Sequence, residues 1–504
     1  MRSTFVGFET ARRGIMASQK AIDVTGNNLT NINTPGYTRQ RLDLVSVNTF
    51  GAGNRLATSQ YDKTGQGVGM NGVAQVRDSF LDKRFREEFC DVGYYDQSIV
   101  ILKDIENALD EQVSSGMKDA LSNFMKSIQN LNNATDQEEN ANIVLTSAKT
   151  ITQVLHQLNK KLGEIGDQQK FELGIAQKQV NSIFMQLAEI NKTISKDISI
   201  SSNGKLDNPM YGPNELLDKQ NMLLDELSKY ADIKVTRNSD HTVNVEFAGK
   251  IAVSGDKYEK IGVVNNNDGK TVSIVWSDTG KDVALRTGQL KAFTDFINGN
   301  GIHAAETITK NDTMEKGILY YQTKLDVFAK VFAEKMNNIL PIRDEHGVDT
   351  GKFKQLFVVG EEYPLMSASS ITINPEWEKR PGYIIKDIVV DGKLDNSYIS
   401  KMINVFTSDN HNFGEFQGSF EEYINFYNLS VGEQIKSFDG RLNSSVEIAD
   451  SVLDSRDQVS GVGQDEEGVN LMVYQKSFQA ASRLMTVLDE ALDLIINRMG
   501  TVGR

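Results

Sequence analysis

The apolar positions of this chain fall into a few regular stripes, and the most regular lies at the C-terminal end. From Val469 on, Leu471, Tyr474, Phe478, Ala481, Met485, Leu488, Leu492, Ile495 and Met499 recur at alternating steps of three and four. That is the seam of a coiled coil, so the spacing predicts one amphipathic helix, about 45 Å long at 1.5 Å per residue. The first 32 residues carry a weaker copy at Phe8, Ala11, Ile15, Ser18, Ile22, Thr25, Leu29 and Ile32. Small residues alternate with large ones there, which lets a partner helix approach closely. Two narrow stripes at opposite ends of a 504-residue chain are built for each other rather than for separate cores. They imply an assembly protein whose ends dock on each other and on neighbouring subunits.

Between the ends, the interval from Pro35 to Pro209 holds no proline and is helical in pattern. One stripe runs through Leu102, Ile105, Leu109 and Val113, then Met117, Leu121, Phe124, Ile128 and Leu131. Thr135 and Glu138 have capping-box spacing and predict a new helix start. A second stripe follows at Val144, Ala148, Ile151, Leu155, Leu158, Leu162 and Ile165, and a further helix is predicted over 171–194. Residues 231–285 change period: valine-rich alternation predicts a small inserted β domain, with Thr271–Trp276 as one strand. The NNNDG at Asn265 reads as a hairpin turn, because a calcium loop's closing glutamate is absent. Helix returns near Leu290 and over 319–340. Residues 341–418 hold the last four prolines and look irregular, with strands at Ser370–Asn374 and Ile384–Val390. From Phe420 to Leu453 the apolar spacing is an 11-residue repeat, which favours nearly straight packing and predicts one long helix across Gly432 and Gly440.

Composition narrows the function. The 54 Lys and Arg against 68 Asp and Glu give a net charge of -14. That argues against a general nucleic-acid binder, which neutralises phosphates with a basic face, and against anionic membranes. A single cysteine, Cys90, excludes an intramolecular disulfide framework. No stretch reaches the roughly 20 apolar residues that span a bilayer, and the N-terminus lacks the apolar core of a cleaved signal. The five histidines are scattered without metal-site spacing, so neither a metal nor a cofactor is expected.

Three local strings carry more information than composition. Asn27-Asn28 leads through Asn31, Asn33 and Thr34 to Pro35-Gly36-Tyr37-Thr38-Arg39-Gln40. Read alone, it is a helix end and a turn: asparagine tolerates left-handed backbone, and Pro-Gly suits a turn. Next, Gly65, Gly67 and Gly69 suggest a phosphate loop only weakly, since no lysine follows at the required spacing. Val68 lies among them, and Val76, Arg77, Asp78, Phe80, Leu81 and Arg86 follow. Finally, Ser460-Gly461-Val462 and Asp465-Glu466-Glu467 precede the last helix, where the acidic run suits a helix N-terminus. Gly463 and the added Gly468 are expected to loosen the helix entry.

Together these strings resemble the signatures of the bacterial flagellar axial proteins, the rod, hook and hook-associated families. The Pro35–Gln40 wording is most similar to the hook-associated branch, and Tyr474-Gln475, Phe478-Gln479-Ala480 and Arg483 fit the same pattern. The resemblance is strong over about 1–90 and 455–504. It implies a mainly α fold with β insertions: paired terminal coiled-coil helices, an elongated helical-bundle shaft and small β-rich outer domains. The expected boundaries are a terminal unit from 1–50 and 459–504, an extended connection at 51–95, outgoing shaft at 96–230 and 286–340, insertions at 231–285 and 341–418, and returning shaft at 419–458.

The resemblance further implies a structural subunit of the hook–filament junction, exported without a cleaved signal. It implies a ring on the hook tip, contacts with hook protein and a second junction protein, and an export chaperone at the C-terminal helix. No nucleic acid, membrane or catalytic role is expected. The expected assembly surface comprises Asn27, Asn28, Asn31, Asn33, Thr34, Pro35, Gly36 and Tyr37 with Leu471, Tyr474, Phe478, Met485, Leu488, Leu492 and Ile495. Arg77, Asp78, Ser460, Gly461, Asp465, Glu466 and Glu467 are expected to connect the terminal unit to the shaft. A hairpin closing so long a loop is weak alone, so the ends are expected to order on assembly. Another axial subunit (hook or rod), or an adhesin function in the insertions, remains open at this point.

Overall fold

The computed structural model describes residues 5–47, 66–112, 116–133, 138–201, 213–267, 269–301, 314–343, 348–360, 365–386, 388–390 and 393–498. Its ends pair as the stripes require. Helix α1 (Phe5–Thr30) leads into an antiparallel hairpin of β1 (Gln40–Ser46) and β2 (Val68–Gln75), and α1 packs on both strands. At the other end of the chain, the helix Gln464–Asp493, which is α11 below, lies along α1. A Cβ placed on Gly7 would sit 3.1 Å from Leu488, one on Gly14 3.4 Å from Ala481, and Asn28 bonds Glu467. Each advance of seven along α1 is matched by seven back along α11, so the pair is antiparallel and in constant register.

The seam on α1 differs from the expected one. It shares Ala11, Ser18 and Thr25 but takes Gly7, Gly14, Ala21 and Asn28 in place of Phe8, Ile15, Ile22 and Leu29. The small residues are the ones that let the α11 side chains reach the α1 backbone. Of the bulky residues one position on, Phe8, Ile15 and Ile22 are half-buried beside the seam and Leu29 is 36% exposed. On α11, Leu471, Tyr474, Phe478, Ala481, Met485, Leu488 and Leu492 are half-buried as a continuous stripe, whereas Ile495 is exposed. Met499 lies outside the described residues. Gly468 falls inside α11 and does not interrupt it.

Within the stretch expected as an extended connection, 51–95, β2 is followed by helix from Ser79, and 51–65 lie outside the described residues. α2 spans Ser79–Gln112, and Asp78 Oδ1 accepts from Phe80 N (2.8 Å) to cap it. α2 is only weakly amphipathic over its length, and charges at Asp82 and Arg86 help to hold its first turns. Next come α3 (Lys118–Asn133) and α4 (Glu138–Ser201). The stripes predicted over 102–109, 117–131 and 144–162 are buried throughout. The two helices predicted within 138–194 are one unbroken α4 of 64 residues: Gln168, Asp167 and Lys170 interrupt the stripe but pair along the helix surface instead of ending it. Thr135 lies outside the described residues.

After α5 (Asn214–Ser228), β3 (Ile233–Arg237), β4 (Val243–Phe247), β5 (Lys250–Ser254) and β6 (Lys257–Tyr258) form an antiparallel sheet in that order. β7 (Ile261–Asn265) and β8 (Val272–Trp276) form the hairpin around NNNDG. α4 clamps both sheets by side-chain amides: Asn181 and Gln177 bond Ile261 O, and Asn191 bonds Val243 O and N. Then come α6 (Gln289–Asn298) and α7 (Ile318–Asn337).

The second insertion is more ordered than its prolines suggest. Phe357–Val359 pairs with Ile371–Ile373, and α8 (Pro375–Lys379) and α9 (Asn396–Thr407) are helices. The strand expected over Ile384–Val390 is a 3-10 turn ending at Ile384, with a pair of strand residues at Val389–Val390. Trp377 is fully buried against Phe357. An aromatic cluster of Phe328, Phe332, Phe413, Phe420 and Tyr423 ties this segment to the helices.

α10 (Phe420–Ser460) runs 41 residues through both glycines. Its Ser419–Glu422 capping box satisfies the helix start reciprocally. α10 packs along α2, with Phe438 against Tyr94 and Tyr95 and Arg456 over Phe85, so the two are antiparallel.

Candidate functional site

The three strings that stood apart in sequence meet at one place, where the terminal unit joins the long helices. Asn28 is its centre and is 1% exposed. Its Nδ2 donates to Gln40 O (2.8 Å) and to Glu467 Oε2 (3.3 Å). Its Oδ1 accepts from the Tyr37 hydroxyl (2.8 Å) and from Gln40 N (3.0 Å). One amide therefore fixes the end of α1, the start of β1 and the first turn of α11. Arg39 bridges the two carboxylates of that turn, with Nε to Glu467 at 2.8 Å and Nη1 to Glu466 at 2.9 Å. Its backbone N–H donates to Ser460 O and its carbonyl accepts from Val76 N, both at 2.8 Å. The first, second and last strings are thus stitched through a single residue.

The other asparagines have local work. Asn31 Nδ2 donates to Asn27 O and Oδ1, and Thr34 donates to Asn31, which closes the turn after α1. Asn33 and Pro35 are exposed. Gly36 has φ +76, and a Cβ there would lie 2.3 Å from Met222 Sδ, so the turn is glycine's both by conformation and by space. Burial raises the Tyr37 hydroxyl to about 12, with Asp218 and Glu467 adding to the shift. It therefore remains a hydrogen-bond donor through the ordinary pH range.

Below this joint lies a network of charges. Arg77 Nε meets Asp82 at 2.6 Å, and its Nη1 donates to Thr38 at 3.1 Å. Asp225 of α5 receives Arg86 of α2 and Arg456 of α10, each at 2.7 Å. Gln75 donates to Asp218 at 2.8 Å and to Asn214 O. Asp225, Asp218 and Arg456 escaped the sequence reading, because partners 139 or 231 positions apart leave no local pattern. Arg39 did have a signal, as part of the Pro35–Gln40 string. Of the expected connection residues, Arg77, Ser460, Glu466 and Glu467 are brought together here; Asp78 caps α2, and Asp465 is exposed.

Comparison with known proteins supplies the family. Residues 102–349 match the model described as flagellar hook-associated protein FlgK helical domain. Residues 8–38 match flagella basal body rod protein, and 456–498 the flagellar basal body rod FlgEFG protein C-terminal model. Flagellar hook-associated protein 1 of Bacillus subtilis is 31% identical over 532 aligned residues, covering 100% of both chains. The chain belongs to the flagellar hook-associated protein 1 family. The Salmonella typhimurium hook-associated protein 1 is 26% identical over 53% of this chain and 45% of its own length. A solved structure, the flagellar hook junction protein FlgK from Burkholderia pseudomallei, aligns with a TM-score of 0.44 at 18% identity, covering 55% of this chain and 47% of that one.

Within this family member the rod-protein matches fall on α1 and on α11 with the end of α10, and the helical-domain match falls on the segment between them. Asn28 and Glu467 of the joint lie inside the two rod-protein matches, and the helical-domain match begins at residue 102, within α2. Among the described residues no helix is long and apolar enough to cross a membrane, and no group of three His, Cys, Asp or Glu side chains is placed to hold a metal.

Proposed function

We propose that this chain is a structural subunit of the hook–filament junction, located in the flagellum outside the cell. Subunits form a ring on the distal end of the hook, on which a second hook–filament junction protein and then the filament assemble. The ring leaves a central channel for later subunits. The observation that carries this reading is the antiparallel α1–α11 pair locked at Asn28, Arg39 and Glu467, in a chain whose relationship to hook-associated protein 1 is full-length. A joint that fixes both chain ends in one register presents the same surface on every copy, which ring formation requires.

Export through the flagellar pathway without cleavage fits the same ends. The α1–α11 seam uses small residues on one side and buries its α11 stripe only halfway, so separation exposes little that is not already open. In the cytoplasm an export chaperone covers the stripe from Leu471 to Met499, and hook protein replaces it on assembly. The expected assembly residues, from Asn27 to Tyr37 and from Leu471 to Ile495, all lie on or beside this pair.

Electron microscopy of cells lacking the gene, with the medium probed for filament protein, tests the reading. Hooks without filaments, and filament protein lost to the medium, are expected. Missing hooks would instead mean a hook or rod subunit, and intact filaments would overturn the assignment.

A further inference from the structure

The charge network below the Asn28 joint does not balance. Four guanidinium groups gather there, from Arg77, Arg86, Arg237 and Arg456, around the carboxylates of Asp82 and Asp225. Arg77 and Arg456 pair with Asp82, at 2.6 and 3.9 Å. Arg86 and Arg456 pair with Asp225, both at 2.7 Å. Asp218, whose charge Arg77 also feels, bonds Gln75 instead.

Arg237, on β3, is left over. Among the described residues its one side-chain hydrogen bond is a long 3.4 Å contact to Asn221 Oδ1. The same oxygen receives Arg86 Nη2 at 3.5 Å. Two guanidiniums therefore converge on one neutral amide oxygen, each at the outer limit of hydrogen bonding, where a carboxylate would be the ordinary partner. The other end of that amide, Asn221 Nδ2, is buried with no hydrogen-bond partner among the described residues, and Asn221 is 2% exposed. Desolvation of the Arg237 guanidinium, with the charges of Arg77 and Arg86 adding to it, pushes its pKa below the usual value. Arg237 is nevertheless an exposed residue at the end of β3, so the cluster has an open side.

We propose that the Arg86–Asn221–Arg237 cluster is a binding site for a small oxyanion, of the size of inorganic phosphate or sulfate. The ion takes donors from Arg237 and Arg86 and balances the charge that Asp82 and Asp225 leave uncovered. Arg86 is on α2, Asn221 on α5 and Arg237 on β3, while Arg456 of α10 shares Asp225 with Arg86. An ion held there by Arg86 and Arg237 ties α2 to β3 at the foot of the terminal unit and stiffens the joint.

The test is thermal unfolding of the full chain against inorganic phosphate, at ionic strength held constant with chloride. It uses wild type, Arg237→Gln and Asn221→Asp. Phosphate stabilises proteins generally by exclusion from their surface, so the difference between chains is the readout. The expected wild-type result is a midpoint that rises and saturates. In Arg237→Gln the apparent affinity falls about tenfold or more, as for loss of a charge-assisted bond. Asn221→Asp supplies the missing charge from within: it unfolds later than wild type in chloride and gains no saturable rise. Equal responses in all three chains, or no saturable rise in wild type, overturn the proposal. A destabilised Asn221→Asp chain that still shows the wild-type response overturns it as well.

Discussion

Replacing Asn28 by alanine isolates the joint from the rest of the fold. Four hydrogen bonds disappear at once: to Gln40 O, to Glu467, from the Tyr37 hydroxyl and from Gln40 N. Asn27 Nδ2 already donates to the Tyr37 oxygen at 3.2 Å and offers no acceptor, so the freed hydroxyl hydrogen must turn to water. Arg39 still covers Glu467. The Gln40 N–H and C=O have no such substitute from Asn28, and a buried polar group left without a partner costs about 1–3 kcal/mol. With the lost contact to a charged group added, and allowing for non-additivity, the local cost is about 3 kcal/mol. The matched control is Asn33→Ala, in the same string but exposed, which should stay within about 0.5 kcal/mol. Hydrogen exchange of the full chain reads the opening free energy of α1 and α11. In Asn28→Ala it should fall by about 3 kcal/mol, or to full exchange if the wild-type value is smaller, while Asn33→Ala exchanges as wild type. Protection in Asn28→Ala equal to that of the control would refute the claim that this amide holds the ends together.

Asp225→Ala strands Arg86 and Arg456 and should lower stability to denaturant by about 3–5 kcal/mol, as for breaking a buried pair; removing the exposed Lys83–Glu87 pair should change it by less than about 1 kcal/mol, and equal effects would contradict the network's role. The Tyr37 hydroxyl titrates higher folded than unfolded, so its contribution is complete below about pH 10 and is lost as pH rises through about 12. α1 protection in wild type should therefore decline more steeply across that window than in Tyr37→Phe, and parallel declines would rule this out. Leu488→Asp with Leu492→Asp places charges on the half-buried seam and should abolish both chaperone binding and hook-tip assembly; retained binding, measured by co-purification, moves the chaperone site elsewhere.

Long stripes with a single face were legible from the sequence. Those over 102–131, 144–162 and 420–438 correspond to buried faces, because one apolar side on a helix leaves little choice of what to bury. The α1 seam was not, since hydrophobicity scores Phe8 and Ile15 above Gly7 and Gly14, while close helix approach rewards the absence of side chain. The start of α2 was missed for the opposite reason: Asp78, Asp82 and Arg86 hold its first turns through charges that carry no helical apolar period. The Ser419–Glu422 box had the right spacing and went unread, and α9 with its Asp395 cap lay in a stretch that its neighbouring prolines made look irregular. The joint was half legible. The Asn27–Gln40 and Ser460–Glu467 strings marked its two sides, but only the folded chain brings Arg39 to both glutamates. Asp225 has no signature at all, because its partners lie on helices from distant parts of the sequence.

The central claim is that the joined termini seat this chain on the hook tip. The most direct measurement is electron microscopy of isolated, filament-free hooks after addition of purified full-length chain carrying a gold label, with Asn28→Ala alongside. Label confined to the distal ends for wild type, and markedly reduced for Asn28→Ala, is the predicted result. Label along the length of the hook, or none at either end with wild type, would contradict the account.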